Sequence, residues 1–322
     1  MINYPIKFEP ILHRKIWGGN KLASVLKKKT ISGNIGESWE ISAVPGNISV
    51  VSNGSAKGKN LMELISIYKN EILGSANYKQ FGNKFPLLIK FIDAKNDLSV
   101  QLHPGDDLAK KRHNSFGKTE MWYVLQSDKG AKLNIGFKNS INREQYINAL
   151  NSGKIVSLLN FEEVKAGDAI FINPGKVHAI GAGVLLAEIQ QTSDVTYRIY
   201  DWNRKDSEGK SRELHTELAL DAIDFQRKND FRLSYNKLTN EASKVIECKY
   251  FKTNHLLVGG NISRNHSDID SFIIYICTEG SGVISTTEKS LQIEKGETVL
   301  IPAINKKVSI HSNSCELLEV YI

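Results

Sequence analysis

The 322-residue chain is 41% hydrophobic and 24% charged, with 42 Lys plus Arg against 35 Asp plus Glu and a net charge of +7. These are ordinary values for a water-soluble globular protein. The basic residues are scattered, Lys27 to Lys29 being the longest run, and no apolar run approaches the ~20 residues that span a bilayer. A nucleic-acid stripe and a membrane anchor are therefore excluded as expectations, while a basic balance is compatible with a small phosphorylated substrate. The length fits one elaborated domain or two to three smaller ones. Cys248, Cys277 and Cys315 are far apart and odd in number, and read as buried free thiols in a reducing compartment. The segment Met1-Ile-Asn-Tyr-Pro-Ile-Lys7 lacks the charged-then-apolar layout of a signal peptide, so the expected location is cytoplasmic.

In chain order, apolar residues at Leu61, Leu64, Ile65, Tyr68 and Ile72 carry helical spacing. The runs 85–92 and 121–125 are rich in β-branched and aromatic types and bounded by turn residues, as strands are. A second helix is expected over 144–159, broken at Gly153, then a strand over 169–172. A third helix is expected over 213–225 and a strand over 272–276. Strands outnumber helices, so the fold class is mainly β with a small helical addition.

Two stretches repeat. Trp122-Tyr-Val-Leu-Gln-Ser-Asp-Lys-Gly130 resembles Ile274-Tyr-Ile-Cys-Thr-Glu-Gly-Ser-Gly282, and Gly167-Asp-Ala-Ile-Phe-Ile172 resembles Gly296-Glu-Thr-Val-Leu-Ile301. Tyr123 precedes Gly167 by 44 residues and Tyr275 precedes Gly296 by 21, a difference that an inserted helix over 144–159 explains. Two β-barrels related by duplication is the economical reading.

Only the first copy carries chemistry. Gln101 and His103 stand two apart, so on a strand their side chains leave one face. Glu120 follows in Gly117-Lys-Thr-Glu-Met-Trp122, and His178 in Pro174-Gly-Lys-Val-His178. Two imidazoles, a carboxylate and an amide oxygen form a candidate zinc shell with room for water or substrate. The second copy has Ala303-Ile-Asn-Lys-Lys307 in place of the His178 string, and nothing before Tyr275 resembles Gln-x-His.

The strings Trp17-Gly-Gly19, Gly36-Glu-Ser-Trp-Glu-Ile-Ser42, Phe85-Pro-Leu-Leu-Ile-Lys-Phe-Ile-Asp-Ala94, Leu98-Ser-Val-Gln-Leu-His-Pro104, Gly117-Lys-Thr-Glu-Met-Trp122, Pro174-Gly-Lys-Val-His-Ala179 and Thr196-Tyr-Arg-Ile-Tyr-Asp-Trp202 resemble the cupin pattern. More narrowly, they resemble type I mannose-6-phosphate isomerase in its short bacterial form. The resemblance implies two cupin-type (jelly-roll) barrels: a catalytic domain over 1–230 with helical insertions near 55–80 and 140–160, and a C-terminal cupin-like domain over 231–322 without metal ligands. It implies one zinc ion per chain on Gln101, His103, Glu120 and His178, and an active-site Arg198. The implied reaction interconverts mannose 6-phosphate and fructose 6-phosphate through a cis-enediol. The family often has Pro where this chain has Thr119.

The residues themselves supply further candidates. Lys118, two before Glu120, is expected to share its strand face and donate to a substrate oxygen. Glu188, an acid within an apolar strand, is a candidate proton-transfer base, with an ion pair to Arg198 or Lys118 as its structural explanation. Lys90 is a strand lysine placed to bind substrate. Trp17 and Trp39 flank Gly-rich turns and are candidate pocket walls, core packing being the commoner role of Trp. Phosphate is expected on Arg and Lys side chains, because the chain has no Gly-rich phosphate loop. The expected partner is a small sugar phosphate, with no nucleic acid or membrane, on a monomer or weak homodimer. Two other classes compete: an iron-dependent cupin oxygenase and a non-enzymatic cupin that binds sugar phosphates.

Overall fold

The computed structural model describes residues 2–29, 33–206 and 208–322. The expected strands form with shifted ends. The first is Leu87–Ala94 rather than 85–92, because Pro86 has no N–H to give the ladder. The others are Glu120–Ser127, Ala169–Ile172 and Ile273–Ser285.

The N-terminal two-thirds is a sandwich. A seven-stranded antiparallel sheet has Leu87–Ala94, Val184–Gln191 and Glu120–Ser127 at its centre. A five-stranded sheet of Tyr197–Tyr200, Val100–Leu102, His178–Ile180, Lys132–Phe137 and Leu159–Glu163 faces it. Between them lie Ile92, Trp122, Val124, Leu133, Ile135, Ile170, Ile172, Ile180 and Leu186. Among the described residues no ladder joins the two sheets, so the jelly roll is an open sandwich and not a closed barrel. The central strands are buried on both faces, which is why they read as apolar runs and why Lys90, Glu120 and Glu188 stand out in them.

The back of the seven-stranded sheet presents Phe91, Met121, Tyr123 and Ile189 to two partners. One is the helix Leu61–Tyr68 and the short turn after it. The other is the C-terminal sheet, through Ile274, Ile276, Leu318 and Val320. The expected helix over 61–72 breaks at Lys69, whose φ of 48° interrupts it, and continues as Asn70–Leu73 and Ser75–Phe81. Asn60 and Glu63 close its first turn as a capping box. The second helix breaks at Gly153 as expected, into Arg143–Asn151 and Ile155–Leu158. The third is a single turn, Thr216–Leu220, not 213–225. Here tertiary bonds override the helical spacing: His215 N donates to Arg198 O at 2.7 Å and Asp224 N to Gly175 O at 2.9 Å. The three cysteines are free thiols, two of them buried.

The C-terminal sheet is built on the long strands Lys252–Asn265, Ile273–Ser285 and Lys307–Tyr321, and it repeats the first sheet's centre. In the first copy Glu188 stands opposite both Lys90 and Trp122; in the second Glu319 stands opposite both Asn254 and Tyr275. The structural match is thus Trp122 to Tyr275, one residue away from the match of Tyr123 to Tyr275 read from the strings. A one-residue slip exchanges the faces of a strand, and the core contacts decide it: Trp122 and Tyr275 both point into the core of their own unit. Further along, Arg264 pairs with Val308 as Gln101 pairs with His178, which places His266 where the first copy has His103. The string at that point is Arg264-Asn-His266, with arginine in place of the glutamine. The Glu120 position is Ile273 and the His178 position is Val308, side chains that offer no metal-binding atom.

The two units also meet through a polar cluster. Glu316 accepts from His255 Nε2 at 3.0 Å, Lys237 Nζ at 2.9 Å and Tyr123 Oη at 3.3 Å. The His255 bond, and then Lys237 against the opposing effect of burial, hold its carboxyl down to about 2. A carboxyl depressed on folding adds stability above its unfolded pKa and loses it as the pH falls toward the folded one. We therefore expect stability to drop by about 1–2 kcal/mol between pH ~5 and ~2 through this group, discounted for its partial exposure. Urea midpoints at pH 5 and pH 2.5 should fall further for the native chain than for Glu316→Gln; equal drops would remove the group from the acid response.

Candidate active site

The site is assembled across the gap of the sandwich. Gln101 and His178 stand opposite each other on the five-stranded sheet. Glu120 opens its strand on the seven-stranded sheet, opposite Ile172 and Gln190. His103 lies one residue beyond its strand, where Pro104 ends it, and its carbonyl accepts from Gly175 N at 2.8 Å. That bond ties the His103 turn to the turn carrying His178. Gly175 has φ of 82°, and a Cβ there would sit 2.4 Å from Ala222 O, so the turn requires glycine.

The two imidazoles are oriented alike. His103 Nδ1 donates to Val195 O at 2.9 Å and His178 Nδ1 to Lys176 O at 2.8 Å. A carbonyl can only accept, so both rings carry the proton on Nδ1 and turn a lone pair at Nε2 toward Glu120. The distances from Nε2 to the carboxylate are 3.6 Å for His103 and 3.5 Å for His178. Gln101 Nε2 donates to His178 Nε2 at 3.5 Å, bringing its amide to the same point.

His103 Nε2 and both Glu120 oxygens are buried without a hydrogen-bond partner. Lys118 Nζ is 3.2 Å from Glu120 Oε2 but off the hydrogen-bond direction. Burial, then the Lys118 charge, hold His103 well below the ordinary range, and burial takes His178 to about 4. Burial likewise pushes Glu120 up, to about 7. Neutral imidazoles and a carboxylate whose nearby cation is Lys118, all three donors within 4.8 Å of one another, are a divalent-cation set of nitrogen and oxygen donors. The residues fit a metal.

Beside this cluster lies a cavity of about 310 Å³, the size of a small-molecule site. All the predicted substrate-side residues reach it: Trp17, Lys90, Lys118, Glu188 and Arg198. Trp39 also lines it while remaining buried, so it both packs and walls. Lys118 comes from the segment just before the Glu120 strand, not from the strand itself. Glu188 pairs with neither Arg198 nor Lys118. Its partners are Lys90 Nζ at 3.0 Å and Trp122 Nε1 at 3.0 Å. Burial opposes both charges of that pair, but each ion holds the other charged: Glu188 and then Glu37 raise Lys90, while Lys90 and then Lys118 lower Glu188. Arg198 likewise escapes an ion pair with Asp194 or Asp201. Its Nε donates to Ser99 Oγ at 3.3 Å and its Nη1 to Glu213 O at 2.8 Å.

Sequence reasoning missed Arg212, Lys15 and Glu37. Arg212 is fixed by two bonds to Asp201, at 2.7 and 2.5 Å, and lines the cavity beside Arg198. Lys15 pairs with Glu37 at 3.1 Å, and Trp39 Nε1 donates to Glu37 at 2.7 Å. Glu37 stood within a quoted family string, but no signal marked Lys15 or Arg212. A cluster of five cations, Lys15, Lys90, Lys118, Arg198 and Arg212, thus surrounds the cavity, with Lys15, Lys90, Lys118 and Arg212 paired to Glu37, Glu188, Glu120 and Asp201.

Comparison with known proteins agrees with this geometry. Residues 6–134 match the model of the phosphomannose isomerase type I catalytic domain, and residues 240–322 that of the mannose-6-phosphate isomerase cupin domain. The chain is 36% identical to mannose-6-phosphate isomerase ManA of Bacillus subtilis over 306 residues, covering 94% of each chain. It is 32% identical to the mannose-6-phosphate isomerase of Streptococcus mutans over 321 residues, covering 97% of this chain and 99% of that one. The crystal structure of the mannose 6-phosphate isomerase from B. subtilis superposes with a TM-score of 0.90 at 31% identity, covering 99% of this chain and 100% of the other. The chain belongs to the type I phosphomannose isomerase family.

Proposed function

We propose that this protein interconverts D-mannose 6-phosphate and D-fructose 6-phosphate, moving a proton between C2 and C1 through a cis-enediol with one zinc ion per chain. The observation that carries the reading is the convergence of two Nε2 lone pairs and a buried carboxylate with no hydrogen-bond partner among the described residues, beside a cation-lined cavity. Family membership and the names of the relatives support it. His103, Glu120 and His178 would hold the ion, with the Gln101 amide oxygen turned inward as the fourth donor, and the ion would supply a Lewis acid for charge developing on the sugar's O1 and O2.

The chain's own residues do the rest. Lys118 donates to a substrate oxygen from beside Glu120. Arg198, with no carboxylate partner among the described residues, stabilises the enediolate or the phosphate, and Arg212 adds a second guanidinium for the phosphate. Glu188 is the ionised carboxylate in the wall that takes the C2 proton and returns it at C1. Lys90 holds Glu188 in place and contributes to substrate binding. Trp17 and Trp39 close the pocket against water. The chemistry is confined to residues 1–230, with 231–322 as a cupin-like unit behind it. No helix of the described residues is long and apolar enough to cross a membrane. Cytoplasmic work on a sugar phosphate, as a monomer or weak homodimer, completes the proposal.

Metal analysis with a mannose-6-phosphate to fructose-6-phosphate assay tests it. Purified protein should contain one zinc per chain and lose turnover to a chelator. Activity that survives complete metal removal, or none in zinc-loaded protein, would sink the reading. Arg198→Ala should keep its metal and lose about 10²–10³ in kcat, the cost of one electrostatic partner in the transition state.

A further inference from the structure

We infer that Tyr250, from the C-terminal unit, is a positioning residue for Lys118. The inference rests on the isomerase reading above and gives residues 231–322 a part in catalysis. Its substance is a chain of hydrogen bonds. Tyr250 Oη donates to Asp106 Oδ2 at 2.7 Å. Asp106 Oδ1 accepts from Gly117 N and from Gln191 Nε2, each at 3.0 Å. Gln191 Oε1 in turn accepts from Thr119 N at 2.9 Å, and Gln191 N donates to Thr119 O at 3.2 Å. The residues on either side of Lys118 are therefore both tied to Asp106, one directly and one through Gln191. Lys118 N itself donates to Pro104 O at 3.2 Å, next to His103.

This tie matters because Gly117 and Lys118 lie outside the sheet, whose ladder begins only at Glu120. The fit is close: a Cβ on Gly117 would be 2.6 Å from Asp106 N. Burial opposes ionisation of Asp106, but the bonds from Tyr250, Gln191 and Gly117, with the Lys249 charge, keep its carboxyl below the ordinary range. As a carboxylate it accepts more strongly than a neutral group would. Tyr250 is where this carboxylate is gripped from the C-terminal unit, with Lys249 at 3.5 Å as a weaker neighbour. A displacement of Lys118 by about 1 Å is enough to reduce turnover by up to ~10².

Tyr250→Phe removes one hydroxyl and tests the inference in the full, zinc-loaded chain. Amide hydrogen exchange in the peptide spanning 117–119 should accelerate about tenfold, and kcat should fall about tenfold with KM changed less than about twofold. In a Lys118→Met background, Tyr250→Phe should leave the residual kcat unchanged, because its effect passes through Lys118. A purely structural tyrosine would lower kcat equally in both backgrounds, and that result would overturn the inference. Unchanged exchange at 117–119 would overturn it independently of activity. An inactive native chain would count against the isomerase reading instead, leaving exchange to decide the tether.

Discussion

Replacing Glu120 by Gln should abolish turnover, by at least about 10³, while leaving the metal-free protein as stable as before or more so. The asymmetry follows from the bare site. Glu120 is fully buried, neither oxygen has a hydrogen-bond partner, and burial raises its carboxyl to about 7. A carboxyl raised on folding binds its proton more tightly in the folded state. Metal-free protein should therefore lose stability as the pH rises from ~4.5 to ~7, by roughly 3 kcal/mol at most. Glu120→Gln has no such group and should show a flat profile over that window. Zinc reverses the comparison: a ligand that binds only the folded state stabilises by mass action, ~4 kcal/mol at a thousandfold excess over Kd. Thermal melts of both proteins at pH 5 and pH 7.5, with and without zinc, test this. Zinc should raise the Tm of the native chain and leave that of Glu120→Gln unmoved. A variant that still takes up zinc and gains Tm would remove Glu120 from the shell.

The cluster of His103, Glu120 and His178 was legible because each residue sits in a string whose neighbours also carry information. Gln101 and His103 share a strand end, and Glu120 and His178 each stand among apolar residues where an unpaired polar group is costly. The walls were harder to read. Lys90 and Glu188 each stood out as charges in apolar strands, but their pairing is set by the register of two central strands. Residues 98 apart carry no local mark of that register. Arg212 owes its place to Asp201, and Lys15 to Glu37. Both are surface-like residues in sequence, and only the tertiary fold turns them inward.

The duplication shows the same limit. The strings match tyrosine to tyrosine, while the structure matches Trp122 to Tyr275 and absorbs the slip at irregularities near Cys277 and Ser281. With the register corrected, the second copy is seen to keep a carboxylate, Glu319, at the Glu188 position and to pair it with the guanidinium of Arg264. Arg264 gives Glu319 two bonds, at 2.8 and 3.0 Å, and Tyr275 Oη gives it another at 3.0 Å. A fixed internal cation there offsets the cost of burying Glu319, much as Lys90 does for Glu188 in the first copy.

A double replacement separates the structural contribution of the Lys90–Glu188 pair from its catalytic one. Glu188→Leu alone strands a buried ammonium beside Trp39, 5.0 Å from its ring, and should cost about 3–5 kcal/mol. Lys90→Met together with Glu188→Leu removes both charges and fills the volume with apolar atoms. A buried pair replaced in this way is commonly neutral or stabilising, so the double variant should return to within about 1 kcal/mol of the native chain. Its turnover should not return. Without Glu188 in the cavity wall to carry the C2 proton, kcat should stay about 10²–10⁴ below native although Glu37 and Asp194 still line the cavity, with metal uptake unchanged. Denaturation midpoints and kcat measured on the same three proteins decide the matter. If stability and activity recover together, the pair only holds the wall in place. If stability recovers and activity does not, Glu188 acts on the substrate and Lys90 is the counter-ion that keeps it ionised.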